Sequence, residues 1–150
     1  MRAGMSITVA ALYRFARFAD PEALKGPLLD LCMAEAVRGT LLLATEGING
    51  TIAGTGAAID RVLQHIRALP GCASLDVKYA TADAVPFGKM KVRVKREIVT
   101  LGQAQVDPLV AVGRYVAPQD WQQLIDDADT VLIDTRNDYE VAIGTFKGAI

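Results

Sequence analysis

An α+β fold is predicted for the larger part of this 150-residue chain. Up to about residue 100, strand-like and helix-like segments follow one another in the order β-α-β-β-α-β, which is the order of a ferredoxin-like fold. One helix-like segment carries an apolar stripe with helical periodicity, and glycine or proline interrupts the chain between several segments. We therefore expect a four-stranded antiparallel sheet with two helices on one face, followed by the opening of a separate α/β domain.

The first strand and the first helix are indicated by composition and by a capping signal. Residues 7–15 are largely apolar and include β-branched and aromatic side chains, as a central strand would. Asp20-Pro21 supplies an N-cap and a proline for the first helical turn. Gly26-Pro27 predicts an interruption, so the main helix is expected over residues 27–37, with Gly39 at its end.

The next two strands are predicted on either side of a glycine-rich connection. Residues 40–45 form one strand, and residues 50–53 lie in another. The segment 46–50, Glu-Gly-Ile-Asn-Gly, has the backbone freedom that a tight connection needs. The same segment could instead hold an anion in a nest of backbone amides. The tight connection is favoured.

A second helix is predicted over residues 57–69 because five apolar residues share one stripe. These are Ile59, Val62, Leu63, Ile66 and Leu69. Pro70-Gly71 ends this helix, and residues 75–79 form the fourth strand. The ferredoxin-like domain is therefore expected to span residues 6–100, with a linker over 101–113.

The clearest alternation in the chain lies at residues 89–95, which predict a strand that reaches about residue 100 and extends the sheet or lies across it. Four cationic residues alternate there with apolar ones, which places every charge on one face. They are Lys89, Lys91, Arg93 and Lys95. Residues 78–100 contain six cationic and two acidic side chains, whereas the formal net charge of the whole chain is −1. Either the strand binds the phosphates of an anionic polymer, or it is an edge strand whose lysines discourage aggregation.

The C-terminal region, residues 114–150, predicts the opening of an α/β domain. A helix is expected over 118–125 and a strand over 130–133, followed by a short helix and a loop. Asp134 and Arg136 stand at the end of this strand. They could form a catalytic pair. The segment resembles the opening of a rhodanese-like fold, however, and that resemblance implies that the two residues tie the strand end to a neighbouring loop.

Composition argues against several kinds of site and location. Cys32 and Cys72 lie too far apart for a zinc or redox motif, and both are expected to be small buried residues rather than reactive thiols. With His65 as its single histidine, the chain is not expected to bind a metal. It has no signal peptide pattern and no run of about 20 apolar residues, so a cytoplasmic protein is expected.

Three segments, Thr45–Thr51, Pro86–Val99 and Ile133–Glu140, together resemble one family, the rhodanese-containing tRNA uridine hydroxylases. Thr145-Phe146 departs from the His-Ile pair of that family. The resemblance implies an acylphosphatase-like N-terminal domain, a rhodanese domain of which this chain holds only the start, and oxygen-dependent 5-hydroxylation of uridine 34 in tRNA. It also implies a catalytic cysteine beyond Ile150, so this chain would hold no catalytic residue and would be inactive alone.

The same resemblance favours RNA binding by Lys89, Lys91, Arg93 and Lys95, because a tRNA-modifying enzyme needs a surface that contacts phosphates. It implies tRNA as the partner, with neither DNA nor a membrane, and it leaves the oxygen-activating cofactor unknown. A rhodanese-type sulfurtransferase and a non-catalytic protein-docking module stay open as alternatives. Acylphosphatase activity is not expected, because nothing here matches the arginine loop on which it depends.

Overall fold

Within the described part of the chain, five strands and two longer helices form the first of two compact units, which precedes Gly113. The computed structural model describes residues 6–99, 102–103, 105–110 and 113–150. The elements of the first unit are β1 (Ile7–Phe15), α1 (Pro21–Ala34), β2 (Arg38–Ala44), β3 (Gly47–Gly54), α2 (Gly56–Arg67), β4 (Asp76–Ala82) and β5 (Met90–Val94). Among the described residues, no helix is both long and apolar enough to cross a membrane.

The sheet has the strand order β4-β1-β3-β2-β5. Strands β1 to β4 pair in antiparallel fashion, which confirms the predicted ferredoxin-like plan. Strand β5 extends this sheet, but it is parallel to β2, so the complete sheet is mixed rather than antiparallel. The reason is the path of the chain. Ala82 lies beside Ile7 and Met90 lies beside Gly39, so the connection stays at one end of the sheet and β5 starts in the direction of β2.

The core lies between one face of the sheet and the two helices. Helix α1 packs over β2 and β5, and α2 packs over β1 and β3. The predicted stripe of α2 is confirmed, since Ile59, Val62, Leu63 and Ile66 are fully buried and Leu69 is partly buried. On the sheet, the largest fully buried side chains are Leu12, Leu41, Leu43, Ile48 and Ile52.

Helix α1 differs from its prediction at both predicted breaks. It runs without interruption through Pro27, which is exposed. The proline removes one backbone donor, but the burial of Leu28 and Cys32 on the other side of the helix outweighs that loss. The helix ends at Ala34, before the predicted end, and Gly39 lies inside β2.

The end of α1 is a Schellman motif with alanine in the left-handed position. Val37 N–H donates to the Cys32 carbonyl at 2.9 Å, and Ala36 N–H donates to the Met33 carbonyl at 3.1 Å. Ala36 has φ 54°, a conformation that glycine usually occupies.

The segment 46–50 is not a loop, because β3 already begins at Gly47. Gly47 and Gly50 have φ values of 142° and 158°, and a Cβ atom on them would collide with the carbonyl oxygens of Arg14 and Thr40. The glycines therefore let three strands approach closely. Their backbone groups lie in the ladders with β1 and β2, so no amide nest forms there.

The second unit, Gly113–Ile150, contains a 3-10 turn (Pro118–Asp120), α3 (Trp121–Ile125) and α4 (Asp138–Val141). The helix predicted over 118–125 and the later short helix are confirmed. The strand predicted over 130–133 is wrong for the described structure. Among the described residues, the segment forms ladder-type backbone bonds only with Ile150, which donates to the Leu132 carbonyl at 3.0 Å and accepts from Asp134 N–H at 2.9 Å. A strand needs a longer ladder than this.

Candidate nucleic-acid interface

The basic strand β5 forms one edge of the sheet, with its charges on the face that the helices leave uncovered. Val92 is 5% exposed and packs into the core below α1. Lys91 and Arg93 flank it in an extended strand, so they project to the opposite side. There they lie beside Thr40 and Leu42 of β2. We call this side the open face.

The other two predicted cations flank β5 and are fixed through their backbones. The Lys89 carbonyl accepts from Gly39 N–H at 3.2 Å, and Lys95 N–H donates to the Leu43 carbonyl at 2.8 Å. The side chains of Lys89, Arg93 and Lys95 are exposed, and that of Lys91 is half-buried. None of the three ion pairs found among the described residues involves these four cations. Their charges are therefore available to an anionic partner.

The open face has cations at both of its edges. The strand register aligns Lys78 of β4, Ala11 of β1, Thr51 of β3, Thr40 of β2 and Lys91 of β5 in one row. Adjacent strands lie about 4.8 Å apart, so roughly 19 Å separates the two lysine-bearing edges. Between the two lysines, this row contains only the small, uncharged side chains of Ala11, Thr51 and Thr40.

Sequence reasoning missed Lys78 and Arg38 as members of this surface. Arg38 alternates with Thr40 along β2, and its side chain is exposed. The alternation of side chains along β2 and β4 indicates which residues share a face of each strand. It places Arg38 and Lys78 on the open face only when the strand order is known, because that order decides which strands are neighbours in the sheet.

One end of the open face is covered by the chain that follows β5. Ile98 N–H donates to Glu46 Oε1 at 2.6 Å, and Asn49 Nδ2 donates to the Ile98 carbonyl at 3.0 Å. The Ile98 residue is 3% exposed. These two bonds explain why β5 ends at Val94 rather than near position 100, which itself lies outside the described residues.

Beside Lys91, the connection from β4 to β5 borders a shallow depression of about 520 Å³. Its lining residues are Gly39, Thr40, Pro86, Phe87, Gly88, Lys89 and Lys91. The depression therefore brings together two of the predicted cations, a hydroxyl group and an aromatic ring. The ring of Phe87 was not predicted as part of the site.

Neither cysteine is placed for nucleophilic chemistry. Cys32 and Cys72 are both free thiols and fully buried. Burial raises the pKa of Cys32 to about 11. Burial also raises the pKa of Cys72, although the charge of Arg14 partly opposes this shift. Among the described residues, no group of histidine, cysteine, aspartate and glutamate side chains could hold a metal ion.

In the second unit, Asp134 and Arg136 form a paired contact that holds a loop. Arg136 Nε donates to Asp134 Oδ1 at 2.9 Å, and Arg136 Nη2 donates to Asp134 Oδ2 at 2.7 Å. Arg136 also donates to the Gly144 carbonyl, and the Thr145 hydroxyl donates to Asp134, at 2.7 and 2.6 Å. These bonds, first of all those from Arg136, hold the pKa of Asp134 well below its usual range. The polar atoms of the pair are thus engaged in joining residues 134–136 to residues 144–145.

The aromatic rings of Trp121 and Phe146 stack in the same unit, with centroids 5.6 Å apart and planes 12° from parallel. Phe146 belongs to the Thr145-Phe146 pair singled out in the sequence. The stack therefore joins the first residue of α3 to the loop that Asp134 and Arg136 also hold.

Comparison with known proteins gives matches along nearly the whole chain. Residues 7–98 match the UPF0176 acylphosphatase-like domain. A relative from Gluconobacter oxydans named tRNA uridine(34) hydroxylase is 64% identical over 143 residues, 95% of this chain and 46% of its own length. A relative of the same name from Ruegeria pomeroyi is 70% identical, again over 95% of this chain and 48% of its own length. The chain thus spans about half the length of the curated relatives it matches.

Solved structures are similar in fold at low identity. The calcium and cyclic-diGMP complex of Klebsiella pneumoniae BlrP1 gives a TM-score of 0.50 at 15% identity, covering 71% of this chain and 27% of that one. An acylphosphatase from Coxiella burnetii gives a TM-score of 0.44 at 9% identity, covering 62% and 100%.

Proposed function

Since the chain belongs to the UPF0176 acylphosphatase-like domain family, we propose that it is the N-terminal part of a cytoplasmic enzyme that hydroxylates uridine 34 of tRNA. The observation that carries this proposal is the identity of 64% and 70% to two proteins named for that activity, each over 95% of this chain. Identity of this extent along both units favours a common role over a shared fold alone.

The part we assign to the first unit is RNA binding. Lys89, Lys91, Arg93 and Lys95 present four cations along one edge of the open face, and Lys78 stands at the other edge. Each cation that meets a phosphate releases a counterion, which supplies affinity without dependence on sequence. Because the formal net charge of the whole chain is −1, a contact with phosphates requires a local cationic surface of this kind.

The part we assign to the second unit is the start of a rhodanese domain. The contacts of Asp134 and Arg136 with residues 144 and 145 support it, because they hold a turn beside the segment 131–134. The two backbone bonds between that segment and Ile150 have the pattern of a parallel strand pair. In this proposal the reactive cysteine follows Ile150, and neither Cys32 nor Cys72 takes its role.

The test compares this chain with the full-length protein that contains it. Each is incubated with tRNA lacking the modification under oxygen, and 5-hydroxyuridine is quantified by mass spectrometry of digested tRNA. We expect product from the full-length protein and none from the chain alone. Product from the chain alone that depends on Cys32 or Cys72 would overturn the assignment. Thiocyanate formed from thiosulfate and cyanide, without 5-hydroxyuridine, would instead support a sulfurtransferase.

A further inference from the structure

We propose that the depression beside β5 holds one unpaired nucleotide of an RNA, with the base against Phe87 and the phosphate against Lys89 and Lys91. This inference rests on the proposed RNA-binding function and names the part of the RNA that this site takes. It adds a base-contacting aromatic ring beside the cations of this surface.

The position of Phe87 follows from the path of the chain. The connection between β4 and β5 stays at one end of the sheet and reaches the β5 edge at Met90. It thereby brings Pro86 and Phe87 to the depression lined by Thr40 and Lys91. Phe87 is half-buried, so part of its ring contacts the protein and part is accessible to a ligand.

The space suits a single nucleotide. The depression measures about 520 Å³, within the range of about 300–1,000 Å³ typical of small-ligand sites. At Gly88, a Cβ atom would meet no heavy atom within 4 Å, so the wall beside Phe87 is open. The described lining includes no acidic side chain that would repel a phosphate.

The chemistry favours an unpaired base over a duplex. An aromatic side chain stacks on any base whose face is free, whereas in a duplex both faces are already stacked. Lysine ammonium groups supply the charge for the phosphate, and the Thr40 hydroxyl can both donate and accept a hydrogen bond. With two cations in the lining, the site also suits an anionic ligand better than an apolar peptide.

The experiment measures binding of a short unstructured RNA and of a matched RNA duplex to the chain by fluorescence anisotropy, at several salt concentrations. Variants are Phe87→Leu, Phe87→Tyr and, as a matched control, Tyr79→Leu. Tyr79 is 56% exposed and lies on β4, the opposite edge strand.

We expect Phe87→Leu to weaken binding of the single strand by roughly 5- to 150-fold, the value of one stacked base. The salt dependence should not change, because stacking releases no counterion. Phe87→Tyr keeps an aromatic ring at this position and should therefore bind the single strand as tightly as the wild type does. Tyr79→Leu should leave the single-strand affinity as in the wild type, and duplex binding should not respond to any of these changes.

Three results would overturn the inference while leaving RNA binding intact: unchanged single-strand affinity in Phe87→Leu, an equal loss for the duplex, or an equal loss in Tyr79→Leu. Absence of RNA binding by the wild-type chain would overturn both proposals. If Phe87→Leu does not fold, Phe87→Trp in a Trp121→Phe background gives a second readout. Single-stranded RNA should quench its indole fluorescence more than the duplex does, and no such difference would again overturn the site.

Discussion

Asn49 donates its side-chain amide to the backbone carbonyl of Ile98 at 3.0 Å, across 49 residues of sequence. Glu46 Oε1 accepts a hydrogen bond from the N–H group of the same residue at 2.6 Å. Two side chains of the Thr45–Thr51 motif thus satisfy both backbone groups of one residue that follows β5. This gives the motif a structural role, since it fixes where the basic strand stops.

The first prediction concerns this contact. Asn49→Ala should lower the free energy of unfolding by about 1–3 kcal/mol, because it leaves the carbonyl of the 3%-exposed Ile98 without its partner. Thr51→Ala, in the same strand and on the same face, should change it by less than about 0.5 kcal/mol. Urea denaturation of both variants measures the difference, and equal stabilities would contradict the role given to Asn49.

The second prediction concerns the open face. Lys91→Glu combined with Arg93→Glu should leave the fold intact, because both side chains point away from the core, and should weaken tRNA binding. The slope of log affinity against log salt should become shallower by about 0.7–0.9 for each phosphate that the variant no longer neutralises. The control, Lys25→Glu with Arg67→Glu, makes the same charge change on α1 and α2. A folded Lys91 and Arg93 variant with wild-type affinity would remove this surface from the RNA interface.

The third prediction concerns the end of α1. Ala36→Gly should raise the free energy of unfolding by about 1 kcal/mol, because a left-handed conformation costs an L-residue that much and glycine little. Ala34→Gly, two residues earlier and still helical, should lower it by about 0.5–1 kcal/mol. Thermal unfolding gives both values. Changes of the same sign would show that Ala36 carries no such strain.

The fourth prediction concerns the buried thiols. Burial raises the pKa of Cys32 in the folded chain to about 11, whereas the pKa of a thiol in an unfolded chain is about 8.5. The stability linked to this group is therefore fully present below about pH 8.5 and is lost as the pH rises toward 11. Cys32→Ala should show a smaller fall in stability across that range.

The same burial predicts that a disulfide reagent reacts slowly with both cysteines at pH 8 in the native chain and quickly in urea. Rapid modification of either thiol in the native chain would contradict the inert role assigned to Cys32 and Cys72.

Features of the fold that depend on local pattern were predictable from sequence. The buried stripe of α2 follows from helical spacing, and the placement of Lys91 and Arg93 on one face follows from strand alternation. The continuity of α1 through Pro27 was not predictable from local pattern. It depends on the burial of Leu28 and Cys32 against residues that are distant in sequence. The segment 130–133 shows the same limit, since β-branched residues alone do not supply a neighbouring strand.

In the candidate site, too, some features follow from a local sequence pattern and others depend on the rest of the fold. The charges of the basic strand are visible in the sequence, but their neighbours Lys78 and Phe87 are set by strand order and by the path of one connection. Neither of these is encoded by a local pattern.

The pairing of β5 with β2 also bears on how the protein folds. Gly39 pairs with Met90, and α2, β3 and β4 lie between them in the chain. Closing a long stretch of chain costs entropy that only a preformed neighbour can offset, so we expect β5 to dock after the central strands. As a short strand at the rim of the sheet, it should also be among the first to open in the native state. The cationic surface would then exist only in fully folded molecules, and RNA binding would report the completion of folding.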